Sequence, residues 1–328
     1  MSDSAKPAPT SGDPKAAGVV FDIGYQRYAG PREGRDRARR AVYRDGIRKA
    51  LGLGRGVRTK LLPWGFISLM VVIGVIMAVL AGAGQRALGD AGANLFVNAS
   101  HRVYYALTIT IFFVFAALVA PRLLCPDRRN GTLHLYLVRP LTSTDYLAAR
   151  WAAFLTVMVV VAWLPQVVLL TGRVLGHPAP LSYLGDNWED IPRFLLSGLA
   201  TGALVTTVAM LAAGLAKRHG YASVLLIAVY LIPRAVTAPL ILIPDLQWVA
   251  VFDLSQILGE MNTLIFDGSN PEAARSLLTQ LAEGGPEDVE LVGLVGTRFT
   301  RTFLLSAYLV WLLVPAAILW RYYRRLTL

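Results

Sequence analysis

The chain has 328 residues, 55% of them hydrophobic and only 16% charged, with a formal net charge of +11 and a mean hydropathy of +0.51. Soluble domains carry about a quarter charged residues, so this composition excludes an ordinary water-soluble globular protein. A single cysteine and four scattered histidines exclude a disulfide within the chain and offer no metal-ligand set.

Residues 1–35 open on a lead rich in Ser, Pro, Ala and Asp with no apolar run, which reads as an irregular N-terminus and not as a signal peptide. Residues 36–61 begin DRARRAVYRDGIRKALGL. Tyr43, Ile47, Ala50 and Leu51 fall on one helical face, and Arg40, Arg44 and Arg48 form a basic stripe on another. The spacing predicts an amphipathic helix along the membrane, either a basic anchor or one that also touches a partner. Gly52, Gly54 and Gly56 then let the chain turn.

A bilayer core takes about 20 apolar residues per helical span. Six windows meet that test: Leu62–Gly82, Val103–Pro121, Trp151–Gly172, Phe194–Ala216, Tyr221–Ile243 and Thr302–Trp320. Residues 62–320 are therefore expected to form an all-α, six-span membrane domain, and an even count puts both termini on one side. That side holds 24 of the 32 Lys and Arg but only 8 of the 21 acids. Positive-inside bias then places the termini, the polar stretch 122–150 and the basic tail 321–328 in the cytoplasm. Topology and anionic membrane lipids account for the charge without nucleic acid.

Within 122–150, Leu133, Tyr136 and Leu137 lie at i, i+3, i+4 between an Asn130-Gly131 turn and Pro140, which predicts a two-turn helix with one apolar side. So short a helix is unstable alone in water and needs a surface to pack on. Thr142 to Thr144 offer caps for the helix rising into the third span, and Asp145 suits its first turn.

Five windows contain no charged residue, and the fifth contains only Arg234, a pattern that disfavours proton- or sodium-coupled chemistry. Arg234 stands within snorkelling reach of the outer surface. It is read as meeting a lipid phosphate, pairing with Asp245 or lining a substrate path. Pro233, Pro239 and Pro244 are expected to break the outer half of this span. In the extracytoplasmic stretch 244–301, Leu254, Ile257, Leu258, Met261, Leu264 and Ile265 repeat at helical spacing. Asn270-Pro271-Glu272 starts a further helix that Gly284-Gly285 ends, and the whole reads as a lid or a rigid cap. Trp64, Trp163, Trp188, Trp248 and Trp320 lie near predicted interfaces, as belt anchors would. No Gly-Lys dipeptide, H-E-x-x-H, C-x-x-C or G-x-S-x-G occurs, so no catalytic, cofactor-binding or metal-binding residues are assigned to this chain.

The segment FDIGYQRYAGPREG with the basic amphipathic helix after it, and DRRNGTLHLYLVRPLTSTDYLAARW after the second span, resemble the type-2 ABC transporter permease family. The resemblance implies that Tyr43, Ile47 and Leu51 lie in an elbow helix. It makes Asp127 to Arg139 a coupling helix in which Arg128, Arg129, Leu133, Tyr136, Leu137 and Arg139 meet a separate P-loop ATPase subunit, the holder of ATP and Mg. It further implies a homodimer or a heterodimer with a related permease in the cell membrane. The substrate expected is a hydrophobic or amphiphilic drug, antibiotic, lipid or peptide, exported by alternating access. A non-transporting six-span scaffold or assembly factor is the alternative. A membrane-embedded enzyme would need acids, histidines or a nucleophile grouped at the membrane face, and none are grouped here.

Overall fold

The computed structural model describes residues 34–54, 56–95, 101–131, 141–241, 243–266 and 299–325. The N-terminal lead, the predicted short helix with Leu133, Tyr136, Leu137 and Arg139, and the helix expected from Asn270 lie outside the described residues. These residues form α1 (Arg35–Ala50), α2 (Val57–Leu95), α3 (His101–Arg129), α4 (Ser143–Gly176), α5 (Pro180–Asp186), α6 (Asp190–Leu215), α7 (His219–Leu240), a 3-10 turn (Pro244–Phe252), α8 (Leu254–Phe266) and α9 (Arg301–Arg325), with no strand among them. The fold is an all-α membrane bundle. Residues 59–83 of α2 and the helices α3, α4, α6, α7 and α9 are long and apolar enough to cross a bilayer.

α1 ends in a Schellman arrangement. The Leu53 amide donates to Arg48 O (2.8 Å) and the Gly52 amide to Lys49 O (3.3 Å), satisfying carbonyls that the helix end would otherwise leave open. Gly52 takes φ +69°, and a Cβ there would stand 2.7 Å from Thr59 O, so only glycine fits the turn into α2.

The six spans split into an inner and an outer set. α6 is 67% buried across its apolar window, with α3 and α4 close behind, whereas α7 is only 17% buried. The inner helices approach closely where side chains are small. A Cβ on Gly198 of α6 would lie 2.7 Å from Trp163 Cδ1 and from Tyr105 Oη. Trp163 thus packs over α6 and donates to Leu195 O (3.0 Å), where the sequence suggested an interface anchor.

α3 and α4 overrun their predicted windows. α3 continues from Pro121 to Arg129, and α4 begins at Ser143, behind the cap expected at Thr142 to Thr144 and eight residues before its apolar window, so each projects about 12 Å beyond its window at 1.5 Å per residue. α1, these two projections, the turn after α6 and the end of α9 gather at one end of the bundle, called here the basic end. One expectation is corrected. Pro233 and Pro239 sit inside α7, which runs unbroken to Leu240; only Pro244 starts a new element. Membrane helices tolerate internal proline because neighbouring groups satisfy the freed carbonyls.

Candidate functional site

α3 and α4 are joined by residues 130–142, and the described residues at both roots of this connection include charged side chains. At the exit, Gly131 turns the chain with φ +66° after the Asn130 amide closes on Pro126 O (3.0 Å). At the return, Thr142 and Asp145 form a capping box. The Asp145 amide donates to Thr142 Oγ1 (3.2 Å) and the Thr142 amide to Asp145 Oδ2 (3.1 Å), which uses two orphan donors of the helix start.

Asp145 has a second task. Arg35 Nε donates to its Oδ2 (2.7 Å), and Arg39 donates to Oδ1 through Nε (2.9 Å) and Nη2 (2.6 Å). Two guanidinium groups from the first turns of α1 are thereby fastened to the first turn of α4. Farther along, Tyr43 Oη meets Thr156 Oγ1 (2.9 Å), while Gly46 faces Ala153 so closely that a Cβ would fall 2.6 Å from the alanine methyl. α1 therefore packs lengthwise on the projecting part of α4.

The deepest group is Asp127, on the last turn of α3. Lys49 of α1 donates to its Oδ1 (3.1 Å), and Arg150 Nη2 (2.9 Å) and Tyr146 Oη (2.7 Å) of α4 donate to its Oδ2. Arg150 is 0% exposed and also pairs with Asp45 (2.8 Å), which Lys49 reaches at 3.1 Å. Two cations and two carboxylates thus neutralise one another across three helices. Burial opposes ionisation of the Asp45 carboxyl, but the Arg150 and Lys49 charges outweigh it and hold its pKa below the ordinary value. A buried ion pair of this kind adds little net stability, yet removal of one partner strands the other without water. Mechanically the site is a joint between α1, α3 and α4.

The residues named from sequence fall in different places. Tyr43 is half-buried on α4, and Ile47 and Leu51 pack at the edge of the core. The fully buried residues of α1 are Val42, Gly46 and Ala50. Arg40, Arg44 and Arg48 face outward and Arg129 is exposed. Arg128, which the resemblance places in the coupling helix, stands at the end of α3 and bonds Gly214 O and Tyr322 Oη. Asp45, Lys49, Asp127, Asp145 and Arg150 were not assigned to a site from sequence. For Asp145 the sequence signal is its place in the first turn behind the Thr142 cap; for the others it is position, beside an apolar window or on the amphipathic helix.

At the opposite end of the bundle, Arg234 donates to Ser255 Oγ (2.6 Å), and Ser255 donates to Asp253 Oδ1 through Oγ (2.6 Å) and its amide (2.8 Å). Thr237 holds the other Asp253 oxygen (3.3 Å). Arg234 is thus tied to the start of α8 by residues that were not among its expected partners. Among the described residues no cluster of His, Cys, Asp or Glu could hold a metal ion.

A family model described as ABC-2 family transporter protein matches residues 90–285, which includes α3 through α8 and both roots of the charged connection. No curated protein matches the chain. Six apolar helices and this match over more than half of the sequence agree, and the chain belongs to the ABC-2 family of transporter proteins as a multi-pass permease subunit.

Proposed function

We propose that this permease is the membrane half of an ATP-driven exporter of hydrophobic or amphiphilic molecules. It works as a homodimer or beside a related permease, with its basic end in the cytoplasm. P-loop ATPase subunits seat against the connection between α3 and α4, and ATP and Mg bind on them. The observation that carries this reading is the Asp127–Arg150 joint. A connection whose two roots are locked together and to α1 passes an applied push into α3 and α4 instead of absorbing it. Rigid bodies that switch between two packings are what alternating access requires. The outward apolar faces of α2, α7 and α9, such as Val79, Val224, Ile232, Val310 and Leu313, suit lipid or a second permease. The exposed row Arg40, Arg44 and Arg48 suits anionic headgroups.

Purification of the full-length chain from its native membrane tests the reading. A P-loop ATPase is expected to accompany it, and the Tyr136→Ala variant is expected to insert normally yet lose most of that ATPase. A wild-type chain that brings down no ATPase would count for the scaffold alternative.

A further inference from the structure

The last two turns of α9 touch both roots of the connection. Trp320 Nε1 donates to Thr144 Oγ1 (3.1 Å) in the first turn of α4. The Tyr323 ring stacks on Tyr146 at 6.4 Å between centroids and 22° between planes. On the other root, Arg128 Nη2 donates to Tyr322 Oη (2.7 Å), with the guanidinium carbon 5.1 Å from the centre of that ring. Arg128 also donates to Gly214 O at the end of α6, and the end of the Leu319 side chain packs directly over Gly214, where a Cβ would force it to shift. A tail that only anchored the helix would set its aromatic residues at the lipid interface. Tyr323 is instead 1% exposed.

We propose that the C-terminal end of α9 is a second transmission arm, with Tyr322 and Trp320 as its positioning residues. It passes displacement of the connection to the sixth span, as α1 is passed the same displacement on the other side. This rests on the reading of the connection as an ATPase-driven lever. The two arms differ in kind. α1 is held by ion pairs from Arg35 and Arg39 to Asp145, from Lys49 to Asp127 and from Arg150 to its own Asp45, two of them on the same carboxylate, so it stays locked. α9 is held by one hydrogen bond at each root and by stacked rings, contacts that break singly and shift in plane at small cost. Among the described residues the buried Tyr323 hydroxyl has no hydrogen-bond partner, so a state that brings it an acceptor would recover the desolvation lost here.

The experiment uses the full-length chain bound to its ATPase in lipid nanodiscs, with hydrogen exchange read at the amides of residues 319–325 with and without ATP plus vanadate. In the wild type the nucleotide is expected to change exchange there by about fivefold, the scale set by one net hydrogen bond. Tyr322→Phe and Arg128→Lys are expected to abolish most of that change while the response at residues 35–50 persists. Trp320→Phe provides an independent break on the other root should Tyr322→Phe fail to assemble. A packing role alone would alter exchange equally with and without nucleotide and leave the difference intact; that result overturns the arm. Wild-type α9 amides that ignore nucleotide while the ATPase is bound overturn the arm alone. A chain that binds no ATPase overturns the lever reading and the arm together.

Discussion

Asp127 receives donors from two other helices, and its loss would leave Arg150, which has no exposed surface, facing Asp45 alone. The expected cost of Asp127→Ala is about 3–5 kcal/mol, the range for one member of a buried pair removed. The double variant Asp127→Leu/Arg150→Met exchanges both charges for apolar groups and is expected to cost much less, because no charge is stranded. Thermal unfolding of the full chain in detergent checks both. A double-variant loss equal to the sum of the losses of Asp127→Leu and Arg150→Met alone would show that the two residues are not coupled. This pair was hardly legible in the sequence. Asp127 and Arg150 were letters in a family-like motif, and each marked the edge of an apolar window. Nothing local states that residues 23 apart meet, or that a lysine 78 residues upstream completes the set. Side-chain pairing across helices is a property of the assembled bundle.

Among the elements, α1 depends on one missing side chain. Gly46 lies against Ala153 and the Arg150 guanidinium, and its bare Cα is what lets the helix approach α4. Gly46→Val is expected to weaken docking of α1 by about 1–3 kcal/mol, the usual range for an overpacked contact. Hydrogen exchange across residues 35–50 should then rise toward that of a free helix, whereas Arg44→Ala on the exposed face should leave it unchanged. Protection that survives Gly46→Val would remove the close contact from the account. The helix itself was legible, because an amphipathic period is local. Its buried face was not fully so. The reading through Tyr43, Ile47, Ala50 and Leu51 included the buried Ala50, but its other members sit one residue, or about 100°, from the Val42, Gly46 and Ala50 face that is buried. A glycine inside a helix reads as a weakness until its neighbour is known. The six spans were legible for the same local reason, and so was the start of α4 at its Thr142 cap, but the projection of α3 was not. Hydropathy ends a span at Arg122 or Arg150, while the structure continues the helix because Thr59 O takes the first and the Asp127 and Asp45 carboxylates take the second.

At the scale of the whole molecule, the joint lies at one end and the tightest helix crossing lies toward the other. Lipid gives spans little hydrophobic reason to associate, so close packing between small residues supplies the attraction. α2 and α4 meet in this way. A Cβ on Gly172 would fall 2.3 Å from Ala78 Cβ, and one on Gly176 would fall 2.6 Å from Gly82 Cα. At Gly176 the obstacle is backbone, which cannot rotate aside. Gly176→Leu is therefore expected to open the crossing and lower the thermal stability of the bundle by about 1–3 kcal/mol. The basic end should not respond. Arg122 ties the start of α2 to α3 through Thr59 O (3.1 Å), and the ion pairs described between α1 and other helices run to α3 and α4. Exchange at residues 35–50 is the measurement that separates the two ends. If it stays at the wild-type level while the unfolding temperature falls, the charged joint is an independent rigid unit, as a lever requires. If both fall together, the bundle opens as a single cooperative body, and a push on the connection would be spread through all six spans instead of directed along α3 and α4.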